Sequence, residues 1–190
     1  ATAAELVEAM DGKLSFEDRF LLGQSLEHYR HSVNQVEEIT VVIKQYVLER
    51  FEREYNLLIE LPGVSAIVAC VILSEIGPNV EAFQSQGNLA SWAGVCPGSY
   101  ESAGIKKSSH TTQGNKYLKS SLFQAGGTAG RSKDEAFHNL YARISGRSSK
   151  MKAIIACAHK LIRIIYKILS TGEHYDAKKA LGLRQQARAN

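Results

Sequence analysis

A long run without proline or glycine, from Gln24 to Leu61, constrains the fold more than any other feature. Ser15, followed three residues later by Asp18, has the pattern of a helix N-terminal cap just before this run. Apolar residues recur at alternating spacings of four and three, with one polar exception, which is typical of a coiled-coil face. They are Leu22, Leu26, Tyr29, Val33, Val36, Thr40, Ile43 and Val47. We therefore expect residues 1–55 to form a helical, coiled-coil-like arm that assembles copies of the chain. A broken pair of helices is the alternative, because ~40 helical residues would extend ~60 Å.

Charge is distributed unevenly along the chain. Residues 1–60 carry twelve acidic and six basic side chains, whereas residues 61–190 carry ten more basic than acidic ones. Such a basic region beside an acidic arm is typical of proteins that bind a polyanion, although a solvated lysine-rich surface has the same composition. The apolar runs are too short to cross a bilayer, so we expect no membrane partner.

A helical turn is predicted around Pro62-Gly63, since proline ends one helix and glycine permits a tight turn. A second helix is expected at Ala66–Ile76. This arrangement resembles a helix-hairpin-helix module, whose backbone amides contact a DNA phosphate. Gly63 and Ser65 are therefore candidate DNA contacts, with Ser65 standing where the module has a second glycine.

Further helices are predicted at residues 88–94, from about residue 114, at 135–144 and at 149–170. A turn-rich loop is expected near residues 94–104, and no alternating run is long enough for a substantial sheet. Trp92 and Met151 are expected in the core, and the small residues at 125–130 suggest close helix packing. The predicted fold class is all-α: the arm, a compact helical domain at 56–175 containing the helix-hairpin-helix-like motif, and a fraying basic tail at 176–190.

Ser102 is the candidate nucleophile, in the glycine-containing segment Pro97–Lys107. A serine in such surroundings is usually a turn former, and the segment is not a GxSxG elbow. A flexible loop can nevertheless bring a hydroxyl to a phosphate, where cations offset the charge that develops during phosphoryl transfer. The candidate nucleic-acid-binding cations are Lys106, Lys107, His110, Lys116, Lys119, Arg131 and Lys133.

The three cysteines are widely separated and lack metal-ligand spacing, which predicts reduced thiols in a cytoplasmic protein and no metal site. The first residues do not resemble a signal peptide. Because they also lack an initiator methionine, we expect a processed chain or an excised piece.

Four ordered blocks resemble the C-terminal domain of the insertion-sequence 110/116/902 transposases over about residues 56–175. The blocks are Leu61–Val64, Leu89–Gly98, Glu101–Gly104 and Gln113–Lys119. The resemblance implies that the serine of the Ser-x-Gly block, here Ser102, attacks DNA and forms a covalent phosphoserine link. One departure is Gln113, where the family often has a basic residue before the glycine.

The resemblance also implies partners. In the family, an N-terminal RuvC-like domain carries DEDD carboxylates that hold divalent metal, and oligomers guided by an RNA form composite sites. That domain has no counterpart in this chain, so we expect the magnesium to belong to the absent domain, no cofactor here, and no recombinase activity from this polypeptide alone. Bacterial cytoplasm, with nucleoid association on DNA, is the expected location.

The sequence therefore indicates part of a DNA transposase or recombinase that binds DNA and, with it, a guide RNA. The alternative is a non-enzymatic helical module for nucleic-acid binding and oligomerisation. A third interpretation is an oligomerisation domain whose positive charge is incidental.

Overall fold

A computed structural model describes residues 2–10, 12, 14–96, 100–102, 105–108, 111 and 113–186, with backbone alone for residues 10, 100–102, 105–108 and 182–186. Over these residues the chain is all-α, as predicted, with eight helices and one two-stranded hairpin. Two compact units divide it, residues 1–43 and residues 44–190. The elements are α1 Ala3–Met10, α2 Phe16–Ile59, α3 Ala66–Ile76, α4 Gln86–Trp92, β1 Tyr100–Ser102, β2 Ile105–Ser108, α5 Lys116–Arg131, α6 Glu135–Ser145, α7 Lys150–Thr171 and α8 Ala177–Gln186.

The long helix α2 begins where the sequence predicts, at a reciprocal cap. The Asp18 amide donates to the Ser15 Oγ at 3.1 Å, and the Ser15 amide donates to the Asp18 carboxylate at 3.3 Å. The helix continues to Ile59, but Phe51 leaves the helical conformation, with φ −139° and ψ 35°. The structure is thus one long helix interrupted at Phe51, which is intermediate between the single helix and the broken pair of helices that the sequence allowed.

Helix α7 is the centre of the unit formed by residues 44–190, where it packs against α4, α5 and α6. Ser149 caps its start, since the Ser149 Oγ accepts from the Lys152 amide at 3.3 Å. Its apolar residues recur at helical spacing, so that one broad face is buried. The fully buried side chains of this unit include Leu58, Ile72, Leu89, Leu118, Leu122, Phe137, Leu161, Ile162 and Ile165.

Helix α5 packs closely against its neighbours, as its small residues predict. A Cβ at Gly126 would lie 2.7 Å from the amide nitrogen of Ala158, so the backbones of α5 and α7 nearly touch. On another face, Gly63 has φ +81° and abuts the backbone of Ala125 and Ala129. The turn between α2 and α3 is therefore held against the middle of α5.

Two predicted elements are wrong. The turn-rich loop contains the hairpin β1–β2, because strands of three and four residues are too short to give a visible alternation. The tail predicted to fray at 176–190 is helical through Gln186, because the Asp176 carboxylate caps the Lys178 and Lys179 amides. Ala180 in α8 is buried, and α8 packs against α6.

The connection from α7 to α8 is held by Tyr175. Its hydroxyl donates to the Asp134 carboxylate at 2.9 Å, and the other oxygen of Asp134 caps the first amides of α6. Burial, followed by this hydrogen bond and the charge of Asp134, raises the pKa of Tyr175 well above its usual value. The phenol therefore stays protonated and keeps donating at neutral pH.

Two side chains expected in the core are exposed. Trp92 is 39% exposed at the last position of α4, and its ring packs against Phe83 with 5.3 Å between centroids. Met151 is 57% exposed, since it lies in the first turn of α7 before the first buried residue, Ala153. Along the described part of the chain, the helices are all too short or too polar to span a membrane.

Candidate nucleic-acid interface

Ser102 is the last residue of β1, next to the two residues that join the hairpin strands. The antiparallel register pairs Ser102 with Ile105 and Glu101 with Lys106, and the ladder is irregular between Tyr100 and Glu101. The predicted nucleophile is thus a strand residue rather than a loop residue. Strand pairing fixes its backbone more firmly than a loop would.

The hairpin segment, residues 97–112, is flanked by two described stems, Trp92–Cys96 and Gln113–Asn115. The amide of Asn115 donates to the carbonyl of Trp92 at 2.9 Å. Gly114, with φ +66°, lies against the backbone of Gly94, and a Cβ there would be 2.6 Å from the Trp92 carbonyl. Only glycine tolerates both this conformation and this approach. The two stems of the hairpin segment are therefore held side by side on the core.

Asn115 fixes the start of α5. Its Oδ1 accepts from the amides of Tyr117 and Leu118, both at 3.0 Å. Its Nδ2 donates to the Glu75 carboxylate at 2.5 Å, which links the start of α5 to the last turn of α3. Sequence reasoning placed the helix start near Asn115 but missed Glu75, because the two residues are 40 positions apart.

Lys116 and Lys119 lie together in the first turn of α5, beside the returning stem of the hairpin segment. The ammonium of Lys116 is 4.8 Å from the centroid of the exposed Tyr117 ring. The Lys119 ammonium is 3.5 Å from the Gln113 carbonyl, to which it donates. The helix macrodipole adds partial positive charge at this end, so the arrangement favours an anion.

Arg131 and Lys133 lie at the opposite end of α5. Both side chains are exposed. At ~1.5 Å per residue, Arg131 is ~18–22 Å along the helix from Lys119 and Lys116. The structure therefore does not bring these predicted contacts to the same place.

The turn residues Gly63 and Ser65 already make internal contacts. Gly63 abuts α5, and the Ser65 Oγ accepts from the Val68 amide at 3.3 Å as the N-cap of α3. The buried Val64 amide donates to the Leu61 carbonyl at 3.1 Å. Part of the hydrogen-bonding capacity of the turn between α2 and α3 is thus used to shape the turn itself.

The remaining predicted cations belong to the hairpin segment. Lys106 and Lys107 are consecutive residues of β2. His110 lies outside the described residues. Backbone register therefore places Lys106 opposite Glu101, one residue before Ser102, while the side chains of this strand lie outside the description.

Cys96 precedes the hairpin segment and is the nearest thiol in sequence to Ser102. Burial raises the pKa of its thiol, an effect only partly offset by the charge of Arg163. A protonated thiol is a poor nucleophile, so this burial disfavours attack by Cys96. Over the described residues, no three His, Cys, Asp or Glu side chains are grouped so as to hold a metal ion.

Comparison with known proteins shows that part of this chain is similar to a family of transposases. Residues 55–142 match the model of the IS116/IS110/IS902 transposase family, a segment that runs from the end of α2 into α6. It includes the hairpin and both glycine contacts, at Gly63 and at Gly94 with Gly114.

Three relatives extend the similarity beyond that segment. The protein y4pF/y4sB of Sinorhizobium fredii, named as a candidate transposase, is 29% identical over 156 residues, covering 78% of this chain and 39% of its own. The pilin gene-inverting proteins of Moraxella lacunata and Moraxella bovis are 29% and 28% identical over 158 residues. These alignments cover 80% and 81% of this chain and 48% of each relative. The chain thus spans less than half the length of the relatives it matches.

Proposed function

We propose that this chain is the serine-bearing part of a DNA transposase or recombinase. The observation that carries the proposal is the position of Ser102 in the fold. It ends a strand of a hairpin whose two stems are held together on a helical core, beside Lys116 and Lys119 at the start of α5. The match of residues 55–142 to a transposase family supports it.

In the proposed reaction the Ser102 Oγ attacks a DNA phosphorus, and the bond from phosphorus to one sugar oxygen breaks. The serine hydroxyl loses its proton and the departing sugar oxygen gains one, so that no net proton is consumed and the strand end remains on the serine as a phosphodiester. The bond energy is conserved, so that a second sugar hydroxyl can reverse the step and join a new strand. Lys106, Lys107, Lys116 and Lys119 would hold the phosphate and offset the developing charge, with His110 as a further contact.

Magnesium is not assigned a step on this chain, because the described carboxylates, histidines and cysteines do not form a cluster that fits a metal ion. The DEDD carboxylates that the family resemblance implies would come from a RuvC-like domain. In the proposal that domain and the guide RNA complete the composite site, and the assembly acts on bacterial nucleoid DNA in the cytoplasm.

The proposal also assigns DNA contacts away from the serine. Gly63 and Ser65 would approach a phosphate at the turn between α2 and α3, in the manner of a helix-hairpin-helix motif. Arg131 and Lys133 would contact the backbone at the far end of α5. These contacts position the duplex and carry no sequence information.

The decisive test replaces Ser102 with alanine in a preparation that also contains the carboxylate-bearing domain. We expect Ser102→Ala to abolish denaturation-resistant protein–DNA adducts and strand transfer while leaving DNA affinity within about twofold, since one uncharged hydroxyl contributes little to phosphate binding. Ser108→Ala, in the same hairpin, is the matched control and should retain both activities. Adducts that persist in Ser102→Ala would show that another group is the nucleophile.

The competing interpretations differ in simpler measurements. A non-enzymatic module would bind DNA but form no adduct in any variant. An oligomerisation domain with incidental charge would show no salt-dependent DNA binding. Our proposal expects log affinity to fall linearly with log salt concentration, with a slope of about −0.9 per phosphate contacted.

A further inference from the structure

One face of α7 lines a cleft beside the stems of the hairpin segment. Its residues recur at helical spacing, so they form a continuous stripe next to the buried face of the helix. Leu140 of α6, Val95 and Thr111 complete the lining. The stripe consists of Lys152, Ile155, Ala156, His159 and Lys160. The cleft encloses about 490 Å³, which is within the range of small-ligand sites.

We propose that this cleft receives one unpaired nucleobase of the DNA strand adjacent to the phosphate that Ser102 attacks. The inference rests on the proposed function and adds one feature of its DNA substrate, a nucleotide turned out of the duplex. The cleft has apolar walls of Val95, Leu140 and Ile155 for the flat faces of a base.

Two lysines of the lining supply positive charge for the attached phosphates. Lys152 is exposed. The Lys160 ammonium is held in place by donating to the Ala136 carbonyl at 2.9 Å, and it lies 5.3 Å from the centroid of the Phe137 ring. The described lining combines two lysines with apolar side chains, which suits an anionic ligand with an apolar body.

His159 supplies a polar group inside the cleft. Burial, reinforced by the charge of Arg163, lowers the pKa of its imidazole below the usual value. The ring is therefore neutral at physiological pH, and it can stack on a base or exchange a hydrogen bond with a base edge without the cost of burying a charge.

The position of the cleft relates it to the reaction. Val95 precedes the hairpin segment and Thr111 is near its end, so residues on both sides of the hairpin that carries Ser102 line the cleft. A strand with one base in the cleft would pass its neighbouring phosphate along the hairpin. Removing a base from the stack costs least when the base is already unpaired, so the cleft would favour DNA with a local defect.

The test measures binding of the chain to two otherwise identical short duplexes, one fully paired and one with a single unpaired nucleotide. Fluorescence anisotropy gives both affinities. We expect the unpaired site to increase affinity by about tenfold, which is typical for stacking of one base on a protein. Ala156→Phe, which fills the cleft, should abolish this preference and change affinity for paired DNA by less than about twofold. Ala142→Phe adds the same ring to the exposed face of α6 and should leave the preference intact.

A second pair of variants does not depend on tolerance of a large residue. Lys152→Gln should weaken binding to the duplex with the unpaired nucleotide more than binding to paired DNA, whereas Lys150→Gln, outside the cleft, should weaken both equally.

Equal affinity of the wild-type chain for the two duplexes overturns the inference alone. Failure to bind either duplex overturns the proposed function together with the inference. Binding of free deoxyadenosine monophosphate as tight as that of the unpaired site would instead assign the cleft to a mononucleotide and overturn the DNA interpretation.

Discussion

Asn115 has no predicted contact with DNA, but it joins the elements next to the predicted site. One side-chain oxygen caps two amides of α5, and the side-chain nitrogen donates to Glu75 at the end of α3. Its own amide binds the Trp92 carbonyl, beside the outgoing stem of the hairpin segment. A single residue therefore links the ends of α3 and α4 to the start of α5.

The two side-chain functions of Asn115 can be separated by substitution. Asn115→Ala removes the cap and should lower the free energy of unfolding by about 1–2 kcal/mol. Asn115→Asp keeps the cap but places a carboxylate against Glu75, so it should also destabilise, through like-charge repulsion. Chemical denaturation of the purified chain measures both effects.

The double variant Asn115→Asp with Glu75→Gln is the control, because the glutamine amide can donate to the new carboxylate. Its stability should lie closer to wild type than that of Asn115→Asp alone. If the two changes were additive, the contact between Asn115 and Glu75 would contribute nothing to stability.

At this scale the sequence reveals local contacts and hides distant ones. The cap of Ser15 with Asp18 is predictable because the partners are three residues apart. The contact between Asn115 and Glu75, and the close approach of Gly94 to Gly114, depend on how helices pack, which no local spacing reports. Ser102 as a nucleophile was predicted from the family resemblance rather than from its neighbours, and its role stays a prediction.

Among the elements, α5 shows how a glycine can be required by packing alone. A Cβ at Gly126 would lie 2.7 Å from the Ala158 amide nitrogen and 3.0 Å from the Ile154 carbonyl, both backbone atoms of α7. The neighbouring Gly127 would place its Cβ no closer than 3.6 Å to side-chain atoms of Arg131 and Ile154. A methyl group would therefore fit at Gly127 but clash with the backbone of α7 at Gly126.

Gly126→Ala should force α5 and α7 apart and lower the unfolding free energy by about 1–3 kcal/mol, as for overpacking of a core. Gly127→Ala should be neutral or stabilise by up to about 1 kcal/mol, since alanine has the better helix propensity. Thermal unfolding monitored by circular dichroism compares the two variants. A loss of stability of the same size in both would mean that helix packing does not distinguish these positions.

Helix starts were predicted more accurately than the remaining elements, because a cap and an apolar stripe are properties of nearby residues. Ala66–Ile76 was predicted without error, and α5 and α7 begin within a residue or two of the expected positions. The hairpin and α8 were missed for the opposite reason. Strand pairing requires a partner strand, and α8 is stabilised by its contact with α6 rather than by its own composition.

For the whole molecule, the compact unit of residues 1–43 differs from the rest of the chain in how little apolar surface it buries. Its predicted coiled-coil positions are largely exposed, with Leu22 at 51% and Val36 at 64%. An apolar stripe of this length marks an interaction surface in most proteins. We therefore propose that the arm pairs with a second copy of the chain, as the sequence pattern predicts.

Val36→Glu places a charge in the middle of this stripe, where pairing would remove it from water. We expect it to weaken self-association by at least about tenfold, because desolvating an unpaired carboxylate costs more than the ~1.4 kcal/mol that corresponds to a tenfold change. Sedimentation equilibrium over a range of concentrations measures the association constant. Asn34→Glu, with the same added charge two residues away and off the stripe, should associate like the wild type. A wild-type chain that remains monomeric at every concentration would contradict pairing of the arm. Equal weakening by both variants would also contradict it, because pairing through the stripe makes the position of the added charge matter.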